Sequence, residues 1–548
     1  MIIPRIKDQK TQNRTLRMPL ALTVNAGDDS AKACRLLELF LPQCKAKVSE
    51  QALIIGRKTE RFSEKPEEYA LNVAQEGIKI EYTAYAGLRN ALSTLALLAA
   101  VQDDALLLPE TETQDGPACS HRGVMLDPAR GNPPFEEFCN VLILAAKCKM
   151  NLVHIHLAEN VGLSVEMDCL PAHYRHENCY TKEQVRQLNE LCEILGLEII
   201  PEFDMPAHAT KLIELYPNLA CTPSEDVVPS HWAICTGTEE TYALYEKIIA
   251  EVLELFPKGR YFHMGGDELE FADLAHKRPH SLCHWTVCSK CKEFRKKHGL
   301  KDRTEQYYYF ANRINEIVKR HGRQMMMWSD QIDCTRPAGL SKDILMHFWR
   351  IAHPGRGPYD GCSFNEQLNL GYTLVNSYYP ETYTDEEPYI NDEKIRTWRW
   401  DERPKCTDGN KKNVIGSELC AWNYGDPDPK YAFHDRVFPA ALALMGDKLW
   451  NGDELPYSEE YDGALTRTVL GASTPAGLNV FRGIGAKIPP RTEAWSYPDR
   501  VTCTEEELIE LEKQLTRADC YAAGDAFRAK IYAKCIRYTI ENRKAKNS

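Results

Sequence analysis

His263-Met264-Gly265-Gly266-Asp267-Glu268 ends a short apolar run that starts at Tyr261 and is typical of a buried strand. Side chains along a strand point alternately to opposite faces, so two neighbouring carboxylates share one site only where the backbone leaves strand geometry. The glycine pair permits that departure, because glycine lacks a Cβ. Two acids held together are costly unless one is ionised and the other carries a proton. A solvated acidic loop is the alternative, but the flanking histidine and the glycines favour a reactive centre.

The composition limits the class of protein. A chain of 548 residues is too long for one compact core, so two or three domains are expected. The formal charge of −12, with both signs interspersed, gives no concentrated basic face for nucleic acid. Residues 1–18 lack the apolar core of a secretory signal, and no apolar run is long enough to cross a bilayer. The 20 cysteines are therefore expected to be reduced thiols of a cytoplasmic enzyme with no membrane association.

Residues 1–117 predict a small α+β domain. Apolar runs alternate with turn signals, and no polar cluster suggests chemistry, so the expected role is structural. The polar, turn-rich stretch 110–117 predicts the boundary to the next domain. The expected elements are strands at 20–24 and 52–55, a helix at 30–41, a hairpin of 69–73 with 78–82, and a helix at 85–100.

Residues 118–445 predict a (β/α)8 TIM barrel, because eight apolar strands alternate with helices over a span typical of that fold. An open doubly wound sheet is the weaker alternative, since no glycine-rich phosphate loop follows an early strand. Residues 446–548 predict a mostly helical region packed on the barrel, irregular at first and helical again from 505 to 541. The expected strands are 123–126, 152–157, 198–203, 261–264, 325–328, 344–348, 373–375 and 414–418, with helices at 136–149, 182–195, 239–256, 303–321 and 431–443.

The reactive groups of such barrels lie where strands end and loops begin. Polar clusters of this sequence directly follow predicted strands, which places them at one end of the barrel. They are 127–130, 156–160, 204–208, 267–268, 328–330, 349–350 and Trp422.

Several motifs occur in order along the chain: Arg122-Gly123 with Leu126-Asp127 and Arg130, then His154-Ile155-His156-Leu157, then 201–208, then 263–268. Together they resemble family 20 glycoside hydrolases, the β-N-acetylhexosaminidases. The resemblance includes the preceding small domain and extends to about residue 445, and His-x-Gly-Gly-Asp-Glu is its most specific element. The ending Trp328-Ser329-Asp330 is similar to the intracellular, hexosaminidase D-like type.

The resemblance implies a retaining exo-hydrolase that releases terminal GlcNAc or GalNAc from an oligosaccharide or glycoconjugate, with no cofactor and no metal. In its substrate-assisted scheme, the 2-acetamido oxygen of the sugar attacks the anomeric carbon. Asp267 would orient the acetamide and stabilise the charge that develops on its nitrogen. Glu268 would protonate the leaving oxygen and later deprotonate water. A sugar-binding pseudo-enzyme on the same fold is the alternative, which the intact acidic pair disfavours.

The resemblance also implies the remaining site residues. Arg122 would grip ring hydroxyls at the far side of the sugar. His208 would tune the acid through Glu159, which stands where relatives usually have aspartate, and His263 has a supporting role. Aromatic walls and acetamide contacts would come from Trp328, Trp349, Trp422 and the pair Tyr383 and Asp385.

One departure from the family pattern concerns substrate choice. Tyr424 stands two residues after Trp422, where many relatives have a glutamate that binds the outer hydroxyls of the sugar. The choice between gluco and galacto substrates is therefore open.

Two metal hypotheses are also open. His154-x-His156 at a strand end is typical of binuclear amidohydrolase barrels, and His208, His263 and Asp330 could complete the set. That motif belongs on the first strand, however, and it leaves the Gly-Gly-Asp-Glu segment unexplained. A structural zinc could use Cys283, Cys288 and Cys291 with His280 or His284. Free thiols in a loop are the preferred interpretation, because no clear second pair of ligands is seen.

A homodimer is possible, but the sequence does not decide the oligomeric state.

Overall fold

The structure is a computed structural model that forms an amino-terminal sheet, a closed barrel and helices packed around it. All structural statements concern the residues that it describes. These are 1–131, 133–160, 162–221, 232–269, 284–286, 288–336, 339–350, 362–384, 392–401, 408–422, 434–470, 504–515 and 544.

Strands and helices follow one another along most of these ranges. The strands are β1 (Lys10–Pro19), β2 (Ala21–Asn25), β3 (Lys45–Val48), β4 (Ile54–Lys58), β5 (Tyr69–Ala74), β6 (Gly77–Tyr82), β7 (Ala100–Gln102), β8 (Ala105–Asp115), β9 (His121–Leu126), β10 (Leu152–His156), β11 (Ala158–Glu159), β12 (Gly162–Val165), β13 (Arg175–Tyr180), β14 (Glu198–Glu202), β15 (Tyr261–His263), β16 (Gln324–Trp328), β17 (Leu345–Phe348), β18 (Leu374–Asn376) and β19 (Val414–Ala421). The helices are α1 (Ser30–Phe40), α2 (Tyr85–Leu98), α3 (Pro128–Gly131), α4 (Phe135–Lys147), α5 (Lys182–Leu195), α6 (Thr210–Leu215), α7 (Glu239–Leu255), α8 (Ser289–His298), α9 (Arg303–Arg320), α10 (Phe364–Asn369), α11 (Tyr379–Thr382), α12 (Asp392–Thr397), α13 (His434–Asn451), α14 (Glu459–Leu470) and α15 (Glu505–Leu515).

The amino-terminal domain is a mixed sheet in the order β1-β8-β5-β6-β4-β2-β3, with β7 paired to β8. β5 and β6 form the predicted hairpin, and α1 and α2 bury their apolar stripes. The stretch 110–117, predicted to be a turn-rich boundary, is mostly strand instead, because β8 reaches Asp115 between β1 and β5. Its polar residues fit there because Thr113 donates to Lys7 O at 2.8 Å and Asp115 pairs with Lys149 at 3.0 Å.

Eight parallel strands close a barrel in the order β9-β10-β14-β15-β16-β17-β18-β19, and β19 pairs back with β9. Each predicted barrel strand overlaps one of these eight, so the (β/α)8 prediction is confirmed. β15 has only three residues, yet it pairs with both neighbours through Tyr261–Gln324 and Glu202–His263. Because all eight strands run the same way, their carboxyl ends meet at one mouth.

Two layers of side chains fill the barrel interior. The lower layer is apolar, as is usual in this fold, and the layer nearer the mouth is polar and fully buried. In the polar layer Glu202 lies 2.6 Å from His156 Nδ1, and Glu418 lies 2.9 Å from His154 Nδ1. Burial alone would raise the pKa of both glutamates, but the surrounding imidazoles hold each pKa well below its usual value. The lower layer consists of Leu152, Ile200, Tyr261, Met326, Leu345 and Val375.

α13 completes the helical ring of the barrel, because it packs against β19, β9 and α4. The domain boundary predicted at residue 446 therefore falls inside a helix, His434–Asn451. α14 packs on α13, and the amino terminus joins them through Arg5, which pairs with Asp447 at 2.8 Å. α15 lies within the helix predicted at 505–541, whereas α14 is a helix in a stretch that the sequence predicted to be irregular. None of the described helices combines the length and hydropathy that a bilayer crossing needs.

The described cysteines are mostly free thiols. One pair, Cys334 and Cys362, is a disulfide with the Cα atoms 5.1 Å apart, which differs from the expectation of reduced thiols.

Candidate functional site

The loop after β15 brings two carboxylates to one side of the barrel mouth. Gly265 and Gly266 have φ values of +67° and +96°, a region that glycine enters without steric cost. Glu268 has φ +56°, which is uncommon for a residue with a side chain and marks local strain. One oxygen of Asp267, one oxygen of Glu268 and one nitrogen of His208 all lie within 4.8 Å of one another. The two acids therefore share a site, as the glycine pair predicted.

Three side chains below the loop fix its backbone. Nδ1 of His263 accepts a hydrogen bond from the Gly265 N–H at 3.0 Å, so His263 holds the backbone of the loop. Asp204 Oδ1 accepts from the Gly266 N–H at 3.2 Å, and Asp330 Oδ2 accepts from the Glu268 N–H at 3.1 Å. The site predictions omitted both aspartates as supports, although each lies two residues beyond a barrel strand.

We expect Gly265→Ala to destabilise the protein more than Gly299→Ala, although both glycines have φ +67°. A methyl group on Gly265 would lie 1.9 Å from Asp204 Oδ1, whereas one on Gly299 would meet no atom within 4 Å. The left-handed backbone costs either alanine about 1–2 kcal/mol, and overpacking adds about 1–3 kcal/mol at Gly265. Urea unfolding of both variants measures the difference. Equal losses in the free energy of unfolding would contradict the close approach of Asp204.

His208 connects the acidic pair to Glu159. Its Nδ1 lies 2.7 Å from Glu159 Oε1, and its Nε2 lies 3.3 Å from Glu268 Oε2 and 3.7 Å from Asp267 Oδ2. The longer side chain of Glu159 thus still reaches the imidazole. The Glu268 side chain is 23% exposed and that of Glu159 only 3%, so Glu268 faces the mouth and Glu159 lies behind. Asp267 Oδ1 is buried and has no hydrogen-bond partner among the described residues.

The protonation states of these groups depend on one another. Burial raises the pKa of Asp267 to about 6, with the charge of Glu268 adding to the rise and His208 opposing it. Burial alone would lower the pKa of His208, but Glu159, Asp204 and Asp267 hold that pKa well above its usual value. At neutral pH, a charged imidazolium therefore lies between carboxylates, and it favours the ionised form of Asp267.

Aromatic side chains form the adjoining wall. The ring of Trp422 lies 5.7 Å from Trp328 and 6.0 Å from Tyr383, and Trp349 stacks on Tyr383 at 5.9 Å. Trp328 is fully buried and donates to Glu202 at 2.8 Å, so it forms the base of this cluster. The indole N–H groups of Trp349 and Trp422 have no acceptor among the described residues. The structure brings these four predicted residues together, and their contacts with a sugar stay predictions.

The prediction that Arg122 binds substrate is wrong. Arg122 is the second residue of β9 and fully buried, about 13 Å of strand before Leu126 and hence at the end opposite the site. Its guanidinium pairs with Glu67 of the amino-terminal domain at 2.5 Å and donates to Lys149 O at 3.0 Å. Arg122 therefore joins the small domain to the floor of the barrel.

Arg130 occupies the mouth position that had been predicted for Arg122. It lies in α3, directly after β9, with Nη1 2.8 Å from Asp127 and Nη2 3.3 Å from Glu159. Its guanidinium carbon lies 5.1 Å from the ring centre of Trp422, and 14% of the side chain is exposed. The signal for this residue was present in the sequence, because Arg130 closes the polar cluster that follows the first barrel strand.

The residues of the alternative amidohydrolase site do not assemble. His154 and His156 bind Glu418 and Glu202 inside the barrel, whereas His208 and Asp330 lie at the mouth. Among the described residues, the groups of clustered metal-binding side chains that contain His154 or His156 include neither His208 nor Asp330. Four predicted or weighed residues lie outside the described ranges: His280, Cys283, Asp385 and Tyr424.

Two family models match the chain. Residues 119–453 match the catalytic domain of glycosyl hydrolase family 20, and residues 1–116 match domain 2 of the same family. The β-hexosaminidase of Akkermansia muciniphila is 28% identical over 431 residues, which cover 70% of this chain and 80% of that protein. The β-hexosaminidase of Porphyromonas gingivalis is 29% identical over 326 residues, 55% of this chain but only 40% of that protein.

Solved structures share the fold. The β-N-acetylhexosaminidase of Bacteroides fragilis has a TM-score of 0.71 at 22% identity, covering 86% of this chain and 95% of that one. The chitobiase of Flavobacterium johnsoniae has a TM-score of 0.71 at 20% identity, covering 99% and 93%. At such identities the similarity concerns the architecture, a small domain preceding a barrel.

Proposed function

Since the chain belongs to glycosyl hydrolase family 20, we propose that it is a retaining exo-β-N-acetylhexosaminidase acting on a terminal N-acetylhexosamine. The observation that carries this proposal is the convergence of Asp267 and Glu268 on His208 at the barrel mouth. The two acids differ in environment: Asp267 is nearly enclosed and has an unpaired oxygen among the described residues, while Glu268 is more open. Neighbouring acids in different environments suit a scheme in which each has its own role.

Asp267 acts on the acetamide group. Its ionised carboxylate accepts the acetamide N–H, directs the carbonyl oxygen to the anomeric carbon, and offsets the positive charge that grows on nitrogen as the new C–O bond forms. Glu268 gives its proton to the glycosidic oxygen while the bond from that oxygen to the anomeric carbon breaks.

Water completes the reaction. Glu268 removes a proton from water as the water oxygen bonds to the anomeric carbon, and the bond to the acetamide oxygen breaks in the same step. Two inversions at one carbon leave its configuration unchanged. His208 supports both steps, because its charge favours the ionised Asp267 and its Nε2 lies 3.3 Å from Glu268. The apolar wall around Trp422 excludes water from the intermediate.

Hydrolysis of matched nitrophenyl glycosides tests the proposal. We expect turnover of the β-N-acetylglucosaminide or the β-N-acetylgalactosaminide, and proton NMR should show the β-anomer as the first product. The β-glucoside, which lacks the acetamide, should react at least about 10³-fold more slowly, because it lacks the attacking atom. Equal turnover of the glucoside would refute the substrate-assisted scheme. Binding of GlcNAc without any turnover would instead show a pseudo-enzyme.

Arg130→Gln and Arg122→Gln should have different effects. We expect Arg130→Gln to lower kcat/KM by about 10²-fold, because a charged hydrogen-bond donor at the mouth is lost. It should also lower the free energy of unfolding, because the buried carboxylates of Asp127 and Glu159 lose their partner, so the drop in kcat/KM is what distinguishes it from Arg122→Gln. Arg122→Gln should lower the free energy of unfolding by about 3–5 kcal/mol, since it leaves Glu67 without its buried partner. Steady-state kinetics and urea unfolding of both variants measure the contrast. Loss of kcat/KM in a stable Arg122→Gln protein would contradict the assignment.

The cytoplasmic location, the homodimer and the hexosaminidase D-like subgroup stay predictions from the sequence. Light scattering on the purified protein would give the oligomeric state directly.

A further inference from the structure

Four cysteines converge beside the catalytic loop. The sulfur atoms of Cys221, Cys235, Cys288 and Cys291 all lie within 4.8 Å of one another, and all four residues are buried. Sγ of Cys291 lies 3.5 Å from that of Cys235 and 3.8 Å from that of Cys221. They come from three parts of the chain: after α6, before α7, and at the start of α8.

The spacing of the sulfurs fits a tetrahedral metal site. Four thiolates around zinc, with Zn–S bonds of about 2.3 Å, have sulfurs about 3.8 Å apart. A disulfide would require a separation of about 2.05 Å. Apolar packing does not explain four buried thiols around one point, because a free cysteine in a core behaves as a small apolar side chain and is ordinarily surrounded by carbon atoms.

The local backbone is shaped for this convergence. Cys288 is the N-cap of α8 and Cys291 lies in its first turn, where the helix dipole stabilises thiolates. A methyl group on Gly237 would lie 2.7 Å from Cys291 N, so glycine is required there for α8 to approach the segment that carries Cys235.

We propose that Cys221, Cys235, Cys288 and Cys291 bind one structural Zn²⁺ ion. Soft thiolate ligands in a tetrahedral S4 set select zinc among the common divalent ions. All four ligand positions are filled by the protein, which is typical of a structural site and leaves none for a reacting water. This assignment replaces the expectation of loop thiols without a metal.

The zinc site supports the catalytic loop through the segment 232–235. Within it, Trp232 Nε1 donates to Glu268 O at 3.1 Å, and its ring lies 4.4 Å from that of His208. Ile234 N donates to Pro206 O at 2.9 Å, in the turn that carries His208. Because Cys235 ends this segment, a metal that fixes Cys235 also fixes the packing behind Glu268 and His208.

Metal analysis of the purified full-length protein tests the proposal. Mass spectrometry of metals should give about one zinc per chain, and a mercurial reagent should release it to a zinc-binding dye in the same ratio. Cys291→Ser should lose the zinc and lower Tm by about 10 °C or more. The matched control is Cys192→Ser, a buried free cysteine of α5, which should keep the full zinc content.

Protein grown with zinc and purified under reducing conditions, yet free of metal, would overturn the proposal even if Cys291→Ser fails to fold. Disulfides among the four cysteines in such protein would overturn it too, as would stoichiometric iron in place of zinc. Zinc that survives in Cys291→Ser but is lost from Cys192→Ser would place the metal elsewhere.

Discussion

Glu268→Gln should lower kcat/KM for a GlcNAc disaccharide by about 10²–10⁴-fold, the range that positioned general acids contribute. The amide occupies the same space but cannot give a proton to the leaving oxygen. A dinitrophenolate leaves without protonation, so kcat/KM for the dinitrophenyl N-acetylglucosaminide should fall by no more than about tenfold. Steady-state kinetics with the two substrates measure this difference, since kcat/KM reports the first irreversible step and not the later attack of water.

The matched control is Glu214→Gln, on the helix α6 that follows the His208 turn. Its side chain is 52% exposed and pairs only with Lys211 among the described residues, so both substrates should be turned over at wild-type rates. A Glu268→Gln variant that loses both substrates equally would show that Glu268 is needed for something other than proton donation to the leaving group.

Asp267→Asn should lower kcat/KM by about 10²–10³-fold on every N-acetylglucosaminide, whatever the leaving group. Asparagine cannot offset the charge that develops on the acetamide nitrogen, and this charge develops with good and poor leaving groups alike. Leaving-group dependence therefore separates the two acids: it is steep for Glu268→Gln and flat for Asp267→Asn. The control is Asp343→Asn, at the opposite end of the barrel, where the carboxylate pairs with Lys319.

The pH profile gives a second test of Asp267. Its pKa is about 6 in the folded protein, and the reaction needs the ionised form, so wild-type kcat/KM should fall as pH drops through about 6. This acid limb should be absent in Asp267→Asn. An unchanged limb at pH 6 in the variant, or near-normal rates, would assign the orienting role elsewhere.

The linkage between protonation and folding predicts how stable Asp267→Asn is. The pKa of Asp267 is raised on folding from its ordinary value of 3.8, so the stabilising effect of this group is full below pH 3.8 and is lost as pH rises through about 6. Above pH 6 the buried charge works against folding. Asp267→Asn removes that charge, so its Tm at pH 7.5 should be no lower than that of the wild type. Intact folding would confirm that lost turnover comes from chemistry.

Local patterns in the chain were enough for the barrel and the acidic pair. Strands such as 261–263 are short apolar runs between segments with the apolar spacing of a helix. Both patterns extend over only a few residues, so they can be read from the sequence. Asp267 and Glu268 are adjacent, and the two glycines before them indicate that the backbone turns there. His208 and Glu159 were implied by the resemblance to family 20 glycoside hydrolases rather than by local patterns.

Other features depend on contacts between residues far apart in the sequence, which local sequence patterns do not predict. Arg122 and Arg130 lie eight positions apart in one motif, yet one strand separates them and places them at opposite ends of the barrel. The polar residues at 110–115 are typical of a turn in the sequence, but in the structure they form a strand that pairs with two neighbouring strands. The boundary predicted at 446 lies inside α13, because that helix continues to Asn451 and packs on β9, more than 300 residues earlier.

Short-range signals thus specified which segments become strands and which two carboxylates share a site, because dihedral preferences and adjacent charges are properties of neighbouring residues. The cysteine cluster is the opposite case. Cys221 and Cys291 are 70 positions apart, and only the packing of α8 against the segments beside α6 and α7 brings their sulfurs to 3.8 Å. Closure of the barrel decided which side chains meet at the mouth, since contact between distant residues depends on the path of the whole chain.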